Sequence, residues 1–72
     1  MLIEELLELA TYKKASDLHI SAGLPPVIRV DGRLIRVDQQ VLSPDDVESL
    51  VFPMLSNEQR RRLKKYIVIL QI

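Results

Sequence analysis

The sequence predicts an α+β sandwich, in which a small antiparallel sheet carries helices packed on one face. Three observations predict it. Apolar residues in the first segment recur at helical spacing, the next segment alternates polar with apolar residues, and an Asp-Gly pair joins two β-rich runs. With 72 residues the chain makes a single domain, 1–72. At this size folding buries roughly 60% of the unfolded chain's surface, so the core is thin.

Leu2, Ile3, Leu6, Leu7, Leu9 and Ala10 lie mostly three and four residues apart, with Glu4, Glu5 and Glu8 between them. This is the pattern of an amphipathic helix. Its glutamates fall early and Lys13-Lys14 fall late, complementing the helix dipole, and the helix is expected to end near Lys14. From Asp17 to Ser21 the period is two, a short strand with Leu18 and Ile20 on one face and Asp17, His19 and Ser21 on the other. Gly23, Pro25 and Pro26 then break the chain into a loop, because proline lacks the amide donor and restricts the residue before it.

Val27 to Val30 and Arg33 to Val37 flank Asp31-Gly32, a strong hairpin signal. A two-residue loop sets Val30 opposite Arg33, Arg29 opposite Leu34, Ile28 opposite Ile35 and Val27 opposite Arg36. One face, with Ile28, Val30, Ile35 and Val37, is expected on the core. The other carries Arg29 and Arg36 beside Val27 and Leu34. Ser43-Pro44-Asp45-Asp46 starts a second helix, with serine as N-cap, proline in the first turn and acids at the positive dipole end. Val47, Leu50, Val51, Met54 and Leu55 form its stripe, and Pro53 ends or kinks it near Phe52. A capping box at Ser56 and Gln59 opens a short helix through Lys65. The β-branched run Tyr66 to Ile72 closes the chain and reads as a buried strand, or as the start of a further element.

Ten basic and ten acidic side chains cancel, which argues against a dedicated nucleic-acid binder. With no cysteine there is no disulfide framework, thiolate nucleophile or thiolate zinc site, and the cytoplasm is the expected compartment. The opening Met1-Leu2-Ile3-Glu4-Glu5 has acids where an export signal needs bases. The longest apolar run, Tyr66 to Leu70, falls far short of the roughly 18 residues a membrane helix needs. Neither export nor membrane insertion is expected.

The only glycines, Gly23 and Gly32, make no phosphate-cradling loop. Asp17 and His19 lie two apart on a strand, about 7 Å by backbone spacing, so a direct orienting hydrogen bond between them is not expected and they read as structural or interface residues. One histidine with distant carboxylates does not assemble a metal site. Arg60 to Lys65 points around a helix axis with no aromatic residue interleaved, which favours dipole complementation over a phosphate patch. The hairpin arginines stay open between a solvated sheet face and a surface facing protein or phosphate. The interface candidates are Asp17, His19, Arg29, Arg33 and Arg36.

The segment from Ala15 to Gly32, ASDLHISAGLPPVIRVDG, closely resembles the N-terminal domain of the type IV pilus retraction ATPases, the PilT-type twitching-motility motors. The SDLHI strand, the G-x-P-P loop and the RVDG hairpin tip carry the resemblance, which runs from Met1 to about Lys65. More distantly the chain is similar to secretion and pilus-assembly ATPases. The resemblance implies a PAS-like domain preceding a RecA-like ATPase domain that is absent from this sequence. In that family the second domain holds ATP and magnesium through its Walker A loop, Walker B acid and Asp and His boxes. No catalytic, cofactor-binding or metal residue therefore carries over to this chain. Family membership also implies a hexamer in which the N-terminal domain of one subunit packs on the ATPase domain of its neighbour, and rigid-body movement turns ATP hydrolysis into pilus retraction.

After Lys65 the sequence departs from the family's acidic, Phe-containing strand, and the expectation is a truncated sheet with an exposed apolar edge open to a partner or a second copy. The expected function is a packing and assembly domain that hydrolyses no ATP by itself. Two alternatives stand beside it: a small PAS-like sensor or ligand-binding module with a cavity over the hairpin, and an anion-binding module using Arg60 to Lys65.

Overall fold

The computed structural model describes residues 2–62 and 67–72. Its elements are α1 (Ile3–Tyr12), β1 (Asp17–Ser21), β2 (Val27–Val30), β3 (Arg33–Arg36), α2 (Pro44–Val51), a 3-10 turn (Phe52–Met54), α3 (Asn57–Arg62) and β4 (Ile67–Gln71). The strands form one antiparallel sheet in the order β3-β2-β1-β4. This is the α+β architecture expected from the sequence.

Local chemistry accounts for the element ends. The Glu5 carboxylate accepts from the Leu2 amide at 3.0 Å where α1 begins. At its other end the helix stops at Tyr12 rather than Lys14, because Lys14 turns to φ 60. The Lys14 amide then donates to Thr11 O at 3.0 Å and the Ala15 amide to Ala10 O at 2.9 Å. These paired bonds make a Schellman cap, and the apolar pair it brings together, Ala10 and Ala15, is buried. The two lysines lie in this cap and not in the last helical turn.

The hairpin has the register its two-residue loop dictates, and Asp31 (φ 50) with Gly32 (φ 78) supplies the two left-handed residues that match strand twist. Ser43 caps α2 by accepting from the Asp46 amide at 3.1 Å, and Asp46 returns the bond to the Ser43 amide at 2.8 Å. The Ser56–Gln59 box repeats that arrangement at α3, with bonds of 2.9 and 3.1 Å. Between them Pro53 sits in the 3-10 turn, so α2 ends as the sequence requires. The expected extension of α3 to Lys65, and Tyr66 at the start of the last strand, lie outside the described residues.

Ile3, Leu6 and Ala10 of α1 and Val47, Leu50 and Val51 of α2 cover one sheet face, meeting Leu18, Ile20 and Ile28. Leu42 and Ala15 close the core from the loops, and Pro26 is fully buried beside it. Two expectations fail at the sheet margins. Ile35, expected in the core, is 45% exposed, because both helices lie over β1 and their cover does not reach the outer strand β3. The last strand is not the buried strand its β-branched run suggested but the exposed apolar edge that the sequence offered as the other outcome: Val68 and Leu70 pack on the core while Ile67 and Ile69 face outward.

Candidate functional site

The sheet face opposite the helices is built by strand register. One row across it runs Leu34, Arg29, Asp17, Gln71, and the next runs Arg36, Val27, His19, Ile69. Asp17 sits at its centre. The Ser16 hydroxyl donates to Asp17 Oδ1 at 2.6 Å, and Arg29 Nε donates to Asp17 Oδ2 at 3.4 Å. His19 Nε2 also hydrogen-bonds Asp17 Oδ2. That contact corrects the sequence expectation. The backbone spacing is as estimated, but both side chains stand on one face of β1 and lean together, and their combined reach closes the gap.

The Ser16 hydroxyl bond is the largest influence holding the Asp17 carboxyl below the ordinary aspartate value of 3.8, followed by the His19 bond; partial burial opposes them, and the Arg29 charge adds to them. A carboxylate accepting three bonds is occupied as an acceptor, and the cluster is suited to holding a fixed pattern of charge. Around it lie exposed apolar groups: Leu34 at 59%, Ile67 at 52% and Ile69 at 56%. The face thus has an ordered polar centre and an apolar rim.

Of the five residues singled out from sequence, Asp17, His19 and Arg29 come together. Arg36 shares their face without an ion pair among the described residues. Arg33 opposes Val30 at the hairpin tip, on the other parity of β3, and is not part of this face. Sequence reasoning missed Ser16 and the flanking isoleucines. Ser16 gave a faint signal, a hydroxyl next to a strand carboxylate; Ile67 and Ile69 gave none, since nothing local reveals that β4 pairs with β1.

The basic run behaves differently. Arg60 donates to Phe52 O through Nε at 3.2 Å and Nη2 at 2.8 Å, and its guanidinium lies 5.3 Å from the Phe52 ring centroid. Arg62 pairs with Glu58 at 2.7 Å. These bases tie α3 to the turn before it and to itself. Leu63 to Lys65 lie outside the described residues. Near the hairpin, a groove of about 420 Å³ is open to solvent and lined by Glu5, Leu6, Leu9, Val37, Asp38 and Gln40. It is not the enclosed cavity a small-molecule sensor needs.

ATP and magnesium do not fit the described residues. Gly23 and Gly32 occupy turns at φ 89 and 78, neither leading into a helix. The start of α2 is filled by its own Ser43 and Asp46, beside Asp45. Among the described residues no three metal-ligating side chains converge. No helix is long and apolar enough to cross a membrane among them.

No family model matches the chain. It is 40% identical over 65 residues to the type IV pilus retraction ATPase PilT of Pseudomonas aeruginosa, and 41% identical over 61 residues to the type IV pilus ATPase PilU of the same organism. These alignments take in 90% and 85% of this chain but 19% and 16% of the two relatives, so the chain spans less than a fifth of their length. Among solved structures, the pilus retraction motor PilT with bound ADP superposes with a TM-score of 0.74 at 33% identity, over 90% of this chain and 19% of that one. The Legionella pneumophila ATPase DotB superposes with a TM-score of 0.74 at 28% identity, over 85% of this chain and 17% of its own. Sequence and backbone agree, and the chain belongs to the PilT-type secretion ATPases as the counterpart of their N-terminal region.

Proposed function

We propose that this chain is the packing and assembly domain of a hexameric type IV pilus retraction motor acting in the cytoplasm. Its outer sheet face docks on the ATPase domain of the same or a neighbouring subunit, and it hydrolyses no ATP by itself. ATP and magnesium belong to that ATPase domain, whose residues are not among these. The observation that carries the reading is the open sheet face itself: an Asp17–His19–Arg29 cluster fixed in advance and rimmed by exposed Leu34, Ile67 and Ile69, in a chain 40% identical to a retraction ATPase. Exposed apolar groups gathered on one face mark a surface for interaction with a protein partner, and the fixed Asp17–His19–Arg29 charges would set which partner and orientation fit.

The test reverses charge on that face. In a PilT-type motor carrying this domain, Arg29→Glu with Arg36→Glu is expected to impair ring assembly and pilus retraction, and an unaltered retraction cycle would falsify the docking role. Phosphate release by the chain itself, with ATP and magnesium, is expected to match a buffer control; clear turnover defeats the statement that it hydrolyses nothing.

A further inference from the structure

We infer that His19 is the specificity-determining residue of the outer sheet face: Asp17 fixes its ring with the proton on Nε2, Nδ1 is left as a bare acceptor, and the surface that docks there meets it with a hydrogen-bond donor. This rests on the docking reading and names the chemistry that the partner brings to the centre of the face. The tautomer follows from the carboxylate. Asp17 takes the Ser16 hydroxyl on Oδ1 and the Arg29 guanidinium on Oδ2, and its carboxyl is held below the ordinary aspartate value, so it is ionised at neutral pH. An ionised carboxylate only accepts, and the ring nitrogen bonded to it, Nε2, therefore carries the proton. A neutral imidazole has one such proton, so Nδ1 keeps its lone pair. Asp17 thereby acts as a positioning residue, and the whole cluster is complete within residues 16–29.

Nothing among the described residues uses that lone pair. Nε2 makes the only hydrogen bond of the ring there. No buried side-chain nitrogen or oxygen lacks a partner among them, so Nδ1 reaches solvent, on a side chain 22% exposed. Its row offers no substitute. Val27 of β2 lies on one side and Ile69 of β4 on the other, both apolar. Arg36, the other charged group of that row, stands one strand further out, opposite Val27. A partner that expels water from this place strands Nδ1 unless it brings an N–H or a hydroxyl of its own. One that presents a carboxylate there is refused, because two acceptors meet.

The chain has one histidine, so its ring nitrogens give unambiguous signals in nitrogen-15 NMR. In the purified chain at about pH 8, where an ordinary imidazole is neutral, Nδ1 is expected to be the unprotonated nitrogen. A proton on Nδ1 overturns the inference, whether or not any variant folds. In a PilT-type motor carrying this domain, His19→Gln keeps a donor for Asp17 but has no acceptor at the Nδ1 position. It is expected to weaken ring assembly about tenfold, the scale of one unpaired group at an interface. His19→Asn, whose amide oxygen takes the place of Nδ1, is expected to restore most of that loss. Unchanged assembly with His19→Gln, or equal loss in both variants, overturns the role of Nδ1. A motor that tolerates Arg29→Glu with Arg36→Glu removes the docking reading itself, whereas one that tolerates only His19→Gln removes this inference and leaves docking in place.

Discussion

Lys14 adopts φ 60, a conformation that costs an L-residue with a side chain roughly 1–2 kcal/mol and costs glycine nothing of the kind. Lys14→Gly keeps the cap bonds and removes the strain, so after the unfolded-state entropy of glycine is subtracted it is expected to stabilise the fold by about 0.5 kcal/mol, read as a higher urea midpoint. Asp17 gives a second prediction at this scale. Its folded pKa is depressed, so the unfolded chain binds more protons between the two values, and the stabilisation is complete above 3.8 and lost as pH falls through the folded value. Urea unfolding from neutral pH down to pH 3 is expected to show a steeper acid loss for the native chain than for Asp17→Asn; equal slopes contradict it. Residue identity and neighbour order made the Ser43 N-cap readable, whereas the left-handed Lys14, a residue type that does not announce such a turn, and the Asp17–His19 bond, which depends on side-chain lean that backbone spacing does not contain, were not.

Each element carries its own stop signal, which is why helix and strand positions follow from sequence so closely. Ser43 satisfies the Asp46 amide that the start of α2 leaves open. Ser43→Ala is expected to cost about 1 kcal/mol, whereas Ser56→Ala at the short, wholly exposed α3 is expected to cost less, since no buried residue depends on it. Comparing the two variants by thermal unfolding checks that ordering. The hairpin register was legible because a two-residue turn permits only one alignment. How deep each strand lies was not legible. Ile35 and Ile69 have the composition of core residues, and they stay half exposed because they stand beyond, or opposite, the helices.

The molecule as a whole rests on one face of one sheet. Leu18, at the centre of that face and fully buried, is touched from both helices' side of the core. Leu18→Ala is expected to cost about 2–5 kcal/mol, a large part of the roughly 4–11 kcal/mol available to a domain of this length, so the variant's cooperative melt is expected near or below physiological temperature. The other face carries none of the buried core residues. The sequence by itself determined which residues form helices, strands and turns, because capping, period and turn geometry act between residues a few positions apart; the family came separately, from the resemblance carried by Ala15 to Gly32. Only the tertiary structure decided that β4 inserts beside β1 and that Ser16, Asp17, His19 and Arg29 converge. Those outcomes depend on contacts between residues distant in the chain, where many pairings are compatible with the same local pattern and only burial of the shared core selects among them.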